Sequence, residues 1–322
     1  MKLKNLLGQL ALLSASLTFL AIAQAQSTSP CSIAQSQTAI TAPNIFNDHA
    51  EQDLGDALAE MVEANYRIAK PLADDQLTRI GEKLLKYMPA GSIHYTFRVY
   101  DSGEINAFAI AGGRVYISRK MLAAVKNEDE LAGVVAHELG HLVTHQTAIE
   151  LTRVFRIRLG ITQVGDRADV FARVHQMEST AAKAKEIEGD EESQQLVADR
   201  ISFYALVQAG YAPESFVNFL DISMANKGKT GSWITDLFGL TRGASQRYRE
   251  ARKLLAELPA GCKGRKPSAS ETFLQWKEAA ASERVQLVAQ GIEDDRPLPL
   301  QPPLRSSYWN IHFSPNGKYV LA

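Results

Sequence analysis

The run His137-Glu138-Leu139-Gly140-His141 constrains this chain more than any other feature. Histidines four residues apart share a face only on a helix, where successive turns stack their side chains. The flanking residues favour that helix. Asn127 can cap its start and Glu130 stands three positions later, as in a capping box. Glu128, Asp129 and Glu130 also suit the positive end of the helix dipole. Leu131, Val134, Val135, Leu139 and Leu142 form an apolar surface broad enough to demand burial, so the helix is expected to run inside the molecule to about His145. Two imidazoles presented from adjacent turns can both reach one zinc ion at about 2.0–2.1 Å. Zinc lowers the pKa of its water toward neutrality, and a neighbouring carboxylate can then act as general base. The pattern therefore predicts one Zn2+ per chain, with His137 and His141 as ligands and Glu138 as the catalytic group. Gly140 leaves room for a second helix bearing a further ligand.

The surroundings predict an α+β, mostly helical, zincin-like fold. Ile93, Tyr95, Phe97 and Val99 alternate along a strand, Asp101-Ser102-Gly103 turns the chain, and short strands follow at 105–110 and 114–118. We expect a small antiparallel sheet beside the site helix. The Gly112-Gly113 turn leads to an exposed strand that can pair with a peptide. Helical periodicity covers about 51–69, 72–88, 148–188, 191–208, 213–224, 244–258 and 271–290. Arg153, Arg156 and Arg158 mark either a solvated helix face or a surface for a membrane or partner. His145 suits the negative end of its helix, and His49, His94, His175 and His312 lack partners at ligand spacing.

The chain ends carry different signals. Lys2 and Lys4, an apolar stretch from Leu6 to Ala23, and Ala23-Gln24-Ala25 read as a cleavable signal peptide over 1–25. The alternative is an uncleaved anchor, against which Gln9, Ser14, Ser16 and Thr18 count. Export to the periplasm or the exterior follows, with no membrane span after cleavage. A loose leader (26–47), the main domain (48–290) and a Pro-rich linker (291–308) come next. A hairpin over 309–322 either caps the domain or resembles the start of a propeller blade. Cys31 and Cys262 are either a disulfide pair or two free thiols. The 322 residues carry 35 basic and 36 acidic side chains, so no basic field exists to recruit nucleic acid.

Asn106-Ala107-Phe108-Ala109, Gly112-Gly113-Arg114-Val115-Tyr116-Ile117, Asn127-Glu128-Asp129-Glu130-Leu131-Ala132 and the His-Glu-Leu-Gly-His run together resemble one gluzincin family. It is the metallopeptidase family of the CaaX prenyl endopeptidase, HtpX and BepA, and the likeness is nearest to the soluble periplasmic BepA type. The resemblance spans about residues 50–225. It implies a zinc endopeptidase acting on polypeptides, exported or misfolded envelope proteins among them. It implies that Asn106, Ala107, Phe108, Gly112 and Gly113 line the substrate cleft, and that Asp199 orients a histidine ligand. The family draws its third ligand from a later helix in the pattern Glu-x-x-x-Asp. Gln195 stands in that place here, with Glu192 one turn earlier as an alternative and Glu191 less well aligned. Thr241-Arg242-Gly243-Ala244 stands where the family often has Thr-His-Pro-Ser, with Arg247 in the place of its following Arg, so Arg242 could gate the cleft or stabilise an oxyanion, or be a solvated loop residue. Two functions follow: a zinc endopeptidase using Glu138, or a peptidase fold of weakened or lost activity serving as a periplasmic chaperone or peptide-binding scaffold.

Overall fold

The computed structural model describes residues 31–32, 42–69, 74–181, 191–225, 245–264, 266–289, 312–313 and 320–321. The expected signal peptide, most of the leader, the 291–308 linker and the segment containing Arg242 lie outside them.

Two helices open the domain, α1 (Asp48–Asn65) and α2 (Asp74–Leu85). Asn47 caps α1 by accepting from the Ala50 amide. Strands β1 (Thr96–Tyr100), β2 (Ala107–Ile110) and β3 (Arg114–Ser118) then form a sheet in the order β1-β3-β2. The sheet is mixed, not antiparallel as expected: β1 runs parallel to β3, and β2 antiparallel to it. Alternation tells which side chains share a face, but not which strand lies beside which. Gly112 and Gly113, at φ 69° and 81°, make the tight turn that pairs β2 with β3. The hairpin then docks on β1 through β3 and leaves β2 at the edge. The strand that Gly112-Gly113 leads into, β3, is therefore not the exposed strand expected: it is paired on both sides, and the free backbone edge belongs to β2, all four of whose residues are buried.

Eight helices follow among the described residues: α3 (Arg119–Ala124), α4 (Glu128–Val143), α5 (Gln146–Leu159), α6 (Arg167–Ala181), α7 (Glu191–Gln208), α8 (Glu214–Ala225), α9 (Ser245–Glu257) and α10 (Glu271–Ala289). The stretch expected to be helical over 148–188 is divided, because Gly160 at φ 68° ends α5. Strands β4 (His312–Phe313) and β5 (Val320–Leu321) pair antiparallel.

The sheet separates two cores. On one side Ala107, Ala109, Val115 and Ile117 pack with Leu131, Val135 and Leu139 of α4 and with Phe203, Phe216 and Phe219. On the other, Tyr100, Phe108, Ile110 and Tyr116 pack with α1, α5 and α6. Helix α4 is thus enclosed between the sheet and α7, with every residue from Asp129 to Leu142 buried. Cys31 and Cys262 are joined by a disulfide. No helix of the described residues is long and apolar enough to cross a membrane.

Candidate metal centre

The start of α4 is held as its sequence suggests, with one shift. Asn127 Oδ1 accepts from Glu130 N at 2.9 Å, while the Glu130 carboxylate accepts from Lys126 N at 2.7 Å, so the box closes on the residue before the cap. Asp129 accepts from Ala212 N at 3.0 Å and Ser268 N at 3.3 Å, fastening the helix to later parts of the chain.

Gly140 decides what meets the middle of α4. A Cβ there would stand 2.3 Å from Ser202 Oγ and 2.6 Å from Ala198 O, so α7 approaches only because the side chain is missing. Ser202 Oγ bonds Ala136 O at 2.6 Å across the same seam. This register brings Asp199 to His137, with Oδ1 3.0 Å from Nδ1. His141 Nδ1 meets the Gln146 side-chain oxygen at the start of α5. A carboxylate and a carboxamide oxygen only accept, so both Nδ1 atoms carry the proton. Both Nε2 atoms are then left with lone pairs, and they face each other at 2.9 Å. Two ligands of one tetrahedral zinc, each at about 2.0–2.1 Å, stand roughly 3.3 Å apart. The pair is close to that spacing, and facing lone pairs are unfavourable unless a cation lies between them.

Arg247 of α9 completes the buried group. Its Nε and Nη2 donate to the two Asp199 oxygens at 2.7 and 2.9 Å. Nη2 also lies 3.1 and 3.0 Å from the two His137 ring nitrogens, so the guanidinium packs against the ring. His137, Glu138, His141, Asp199 and Arg247 are all 5% exposed or less. Burial, then the Arg247 charge, lowers the His137 pKa; burial, then His137 and Arg247, takes His141 well below the usual imidazole range. Both rings are therefore neutral and can ligate a metal. Burial raises Asp199, but the Arg247 charge and the hydrogen bonds from Arg247 and His137 outweigh it and keep the carboxylate ionised. Burial pushes the Glu138 carboxyl up to about 8, against the opposing pull of Arg247 and the Ala109 N–H.

Two further acceptors are buried without a hydrogen-bond partner, Glu138 Oε2 and Gln195 Oε1. Gln195 lies one turn before Asp199 on the same face of α7. No cluster of three or more His, Cys, Asp or Glu suited to a metal occurs among the described residues. The Glu192 side chain lies outside them, as does Arg242. The donor set is thus two imidazole nitrogens with oxygen acceptors on the same helices. It fits a zinc ion, with a carboxamide a weaker third ligand than a carboxylate.

The expected cleft residues separate. Ala107 and Ala109 face α4, and the Ala109 N–H reaches the Glu138 carboxyl from the β2 edge. Asn106, beside them, has a buried Oδ1 with no partner. Phe108 points the other way and stacks on Tyr116 at 5.1 Å. The Gly112-Gly113 turn packs against Gly55 of α1 and His94. Sequence reasoning missed Gln146, for which the signal was its i,i+4 spacing from Glu150, and gave Arg247 no role of its own. It placed His145 at a helix end, whereas the residue forms a left-handed joint (φ 53°) between α4 and α5, with Nδ1 2.6 Å from Glu51 Oε2.

Residues 71–273 match the model of Peptidase family M48. The chain is 27% identical over 183 residues to the beta-barrel assembly-enhancing protease of Yersinia pestis, an alignment that covers 53% of this chain and 37% of that protein. It is 26% identical over 203 residues to Metalloprotease YcaL of Escherichia coli, covering 58% and 77% respectively. A 48-residue segment is 50% identical to a Protease HtpX homolog of Thermoplasma volcanium, 14% of this chain and 15% of that one. The chain thus spans 37% of the length of the assembly-enhancing protease it matches. Because the family match takes in the sheet, the α4–α7 seam and Arg247, the chain belongs to peptidase family M48.

Proposed function

We propose that this chain is a zinc metalloendopeptidase that hydrolyses exported or misfolded polypeptides. The observation that carries the reading is the pair of neutral, buried imidazoles whose Nδ1 atoms are committed to oxygens and whose Nε2 atoms face each other at 2.9 Å. His137 and His141 would hold the metal, with Gln195 or Glu192 as third ligand. Bound zinc supplies Lewis acidity to the scissile carbonyl and to the attacking water.

The remaining work falls to the chain's own groups. Glu138, with Oε2 unengaged, takes a proton from the attacking water and passes it to the leaving amine nitrogen. Burial raises its proton affinity, which suits the delivery step; the positive charge of a bound zinc ion would lower it again, toward the carboxylate that the first step needs. Asp199 fixes the His137 ring and is itself held by Arg247. The β2 edge offers backbone groups to an extended substrate. The leader sequence and the Cys31–Cys262 bridge support an exported, oxidising location, periplasmic or extracellular, with envelope proteins as substrates or partners.

Gln195 favours a second reading, a peptide-binding fold with a weak or lost metal site. Zinc content after dialysis against a weak chelator, beside casein hydrolysis, separates the two. One zinc per chain, with hydrolysis reduced by about 10²–10⁴ in Glu138→Gln, is the result expected of the enzyme. Little zinc and no hydrolysis in the wild type, both gained in Gln195→Glu, would establish the scaffold instead.

A further inference from the structure

We infer that Glu150, Gln146 and His141 form a directional relay that dictates which nitrogen of His141 is free to bind a metal, with Gln146 as a positioning residue. The inference rests on the metal reading above. It begins with a carboxamide, a group whose two ends are nearly equal in size and opposite in polarity. Gln146 Nε2 donates to Glu150 Oε1 at 2.9 Å, one turn along α5. Glu150 Oε1 is the acceptor of that bond, so it takes the NH2 end of the amide. The oxygen end must then face His141, where it meets Nδ1. That oxygen demands N–H at Nδ1, which leaves Nε2 as the lone-pair nitrogen opposite His137. The polarity of one carboxylate is thus transmitted through an amide to a ligand nitrogen two groups away.

The joint before α5 aims this relay. His145 is the one non-glycine residue at positive φ among those described, and Glu51 of α1 holds its ring. Because the chain turns there, Gln146 begins a new helix instead of continuing along the axis of α4, and its side chain meets His141. Gln146 and Glu150 are 2% and 1% exposed, which shields the amide from bulk water. The two ligands are also set differently. His137 is oriented by an ion-paired carboxylate, and His141 by a neutral amide whose charge lies one residue further on.

The test reads the tautomer of His141 in metal-free full-length protein, by long-range 1H–15N correlation on 15N-histidine, with His141 assigned from a His141→Gln sample. The wild type should show a protonated Nδ1. Glu150→Gln keeps the side-chain volume but can donate or accept, so the Gln146 amide loses its fixed sense and both tautomers should appear. Gln146→Ala should move His141 toward Nε2–H. Zinc affinity from chelator competition should fall about 10–100-fold in each variant. A wild-type spectrum with Nε2–H, or variants that keep both tautomer and affinity, would overturn the relay. A wild type that shows protonated Nδ1 but binds no zinc would sink the metal reading and leave the relay standing.

Discussion

The two faces of the sheet bury different things. Behind Phe108 and Tyr116 the core is aromatic and aliphatic, and its buried acids, Glu51, Asp53 and Glu150, come from α1 and α5; at the rim Arg167, 52% exposed, reaches Asp53 at 2.8 Å and also Asp56. In front, between α4 and α7, Asp199 and Arg247 are paired inside the protein beside two histidines and a glutamate. Removing charges from water costs several kcal/mol per ion, and apolar packing of equal volume avoids that cost. The fully buried Asp199–Arg247 pair therefore gives up stability that apolar packing in its place would keep, whereas Arg167 on the opposite side stays half in water. What the buried pair gains is fixed geometry around neutral imidazoles.

Five variants bear on this contrast. Arg247→Ala leaves Asp199 buried and unpaired, and should cost about 3–5 kcal/mol in urea unfolding, whereas the double variant Asp199→Leu, Arg247→Met should recover much of that loss. Equal stability of the single and double variants would break the contrast. Gly140→Ala places a methyl against Ser202 Oγ and Ala198 O, and should cost about 1–3 kcal/mol by prising α7 from α4; a fall in zinc binding should accompany it. His145→Asn tests a group between the two faces. The Glu51 hydrogen bond raises the His145 pKa above its unfolded value, although burial opposes it. Its contribution is full below about pH 6.5 and fades as pH rises through the raised folded value. The pH slope of stability in that window should flatten in His145→Asn, which keeps a residue that tolerates positive φ. Arg167→Gln, at the exposed rim, should leave the melting temperature unchanged within error; a clear drop would mean the rim matters more than its exposure suggests.

The parts legible in the sequence were those written within one segment. The cap at Asn127, the apolar surface of α4 and the need for a glycine where α7 crosses can all be read from neighbouring residues. The family resemblance rested on the same local runs, and the match over 71–273 shows that family. What could not be read depends on partners far apart in the chain. The parallel pairing of β1 with β3 joins segments with β2 between them. Arg247 lies 48 positions from the Asp199 it holds. The Phe108 ring follows strand alternation away from α4, so a residue inside a recognised motif serves the opposite core. The charge of His145 suits a helix end, but its backbone conformation and a buried acid 94 positions away decide its place.

The Cys31–Cys262 bond spans 231 positions. In the chain-entropy description a loop of that size restricts the unfolded ensemble by about 5 kcal/mol. It also makes a closed ring of α1 to α9, with the sheet and the α4–α7 seam inside it. A single backbone cut anywhere within the ring opens it without releasing a fragment. A chain nicked there, by its own kind or by another protease, would migrate as one band until a reductant parts the two pieces.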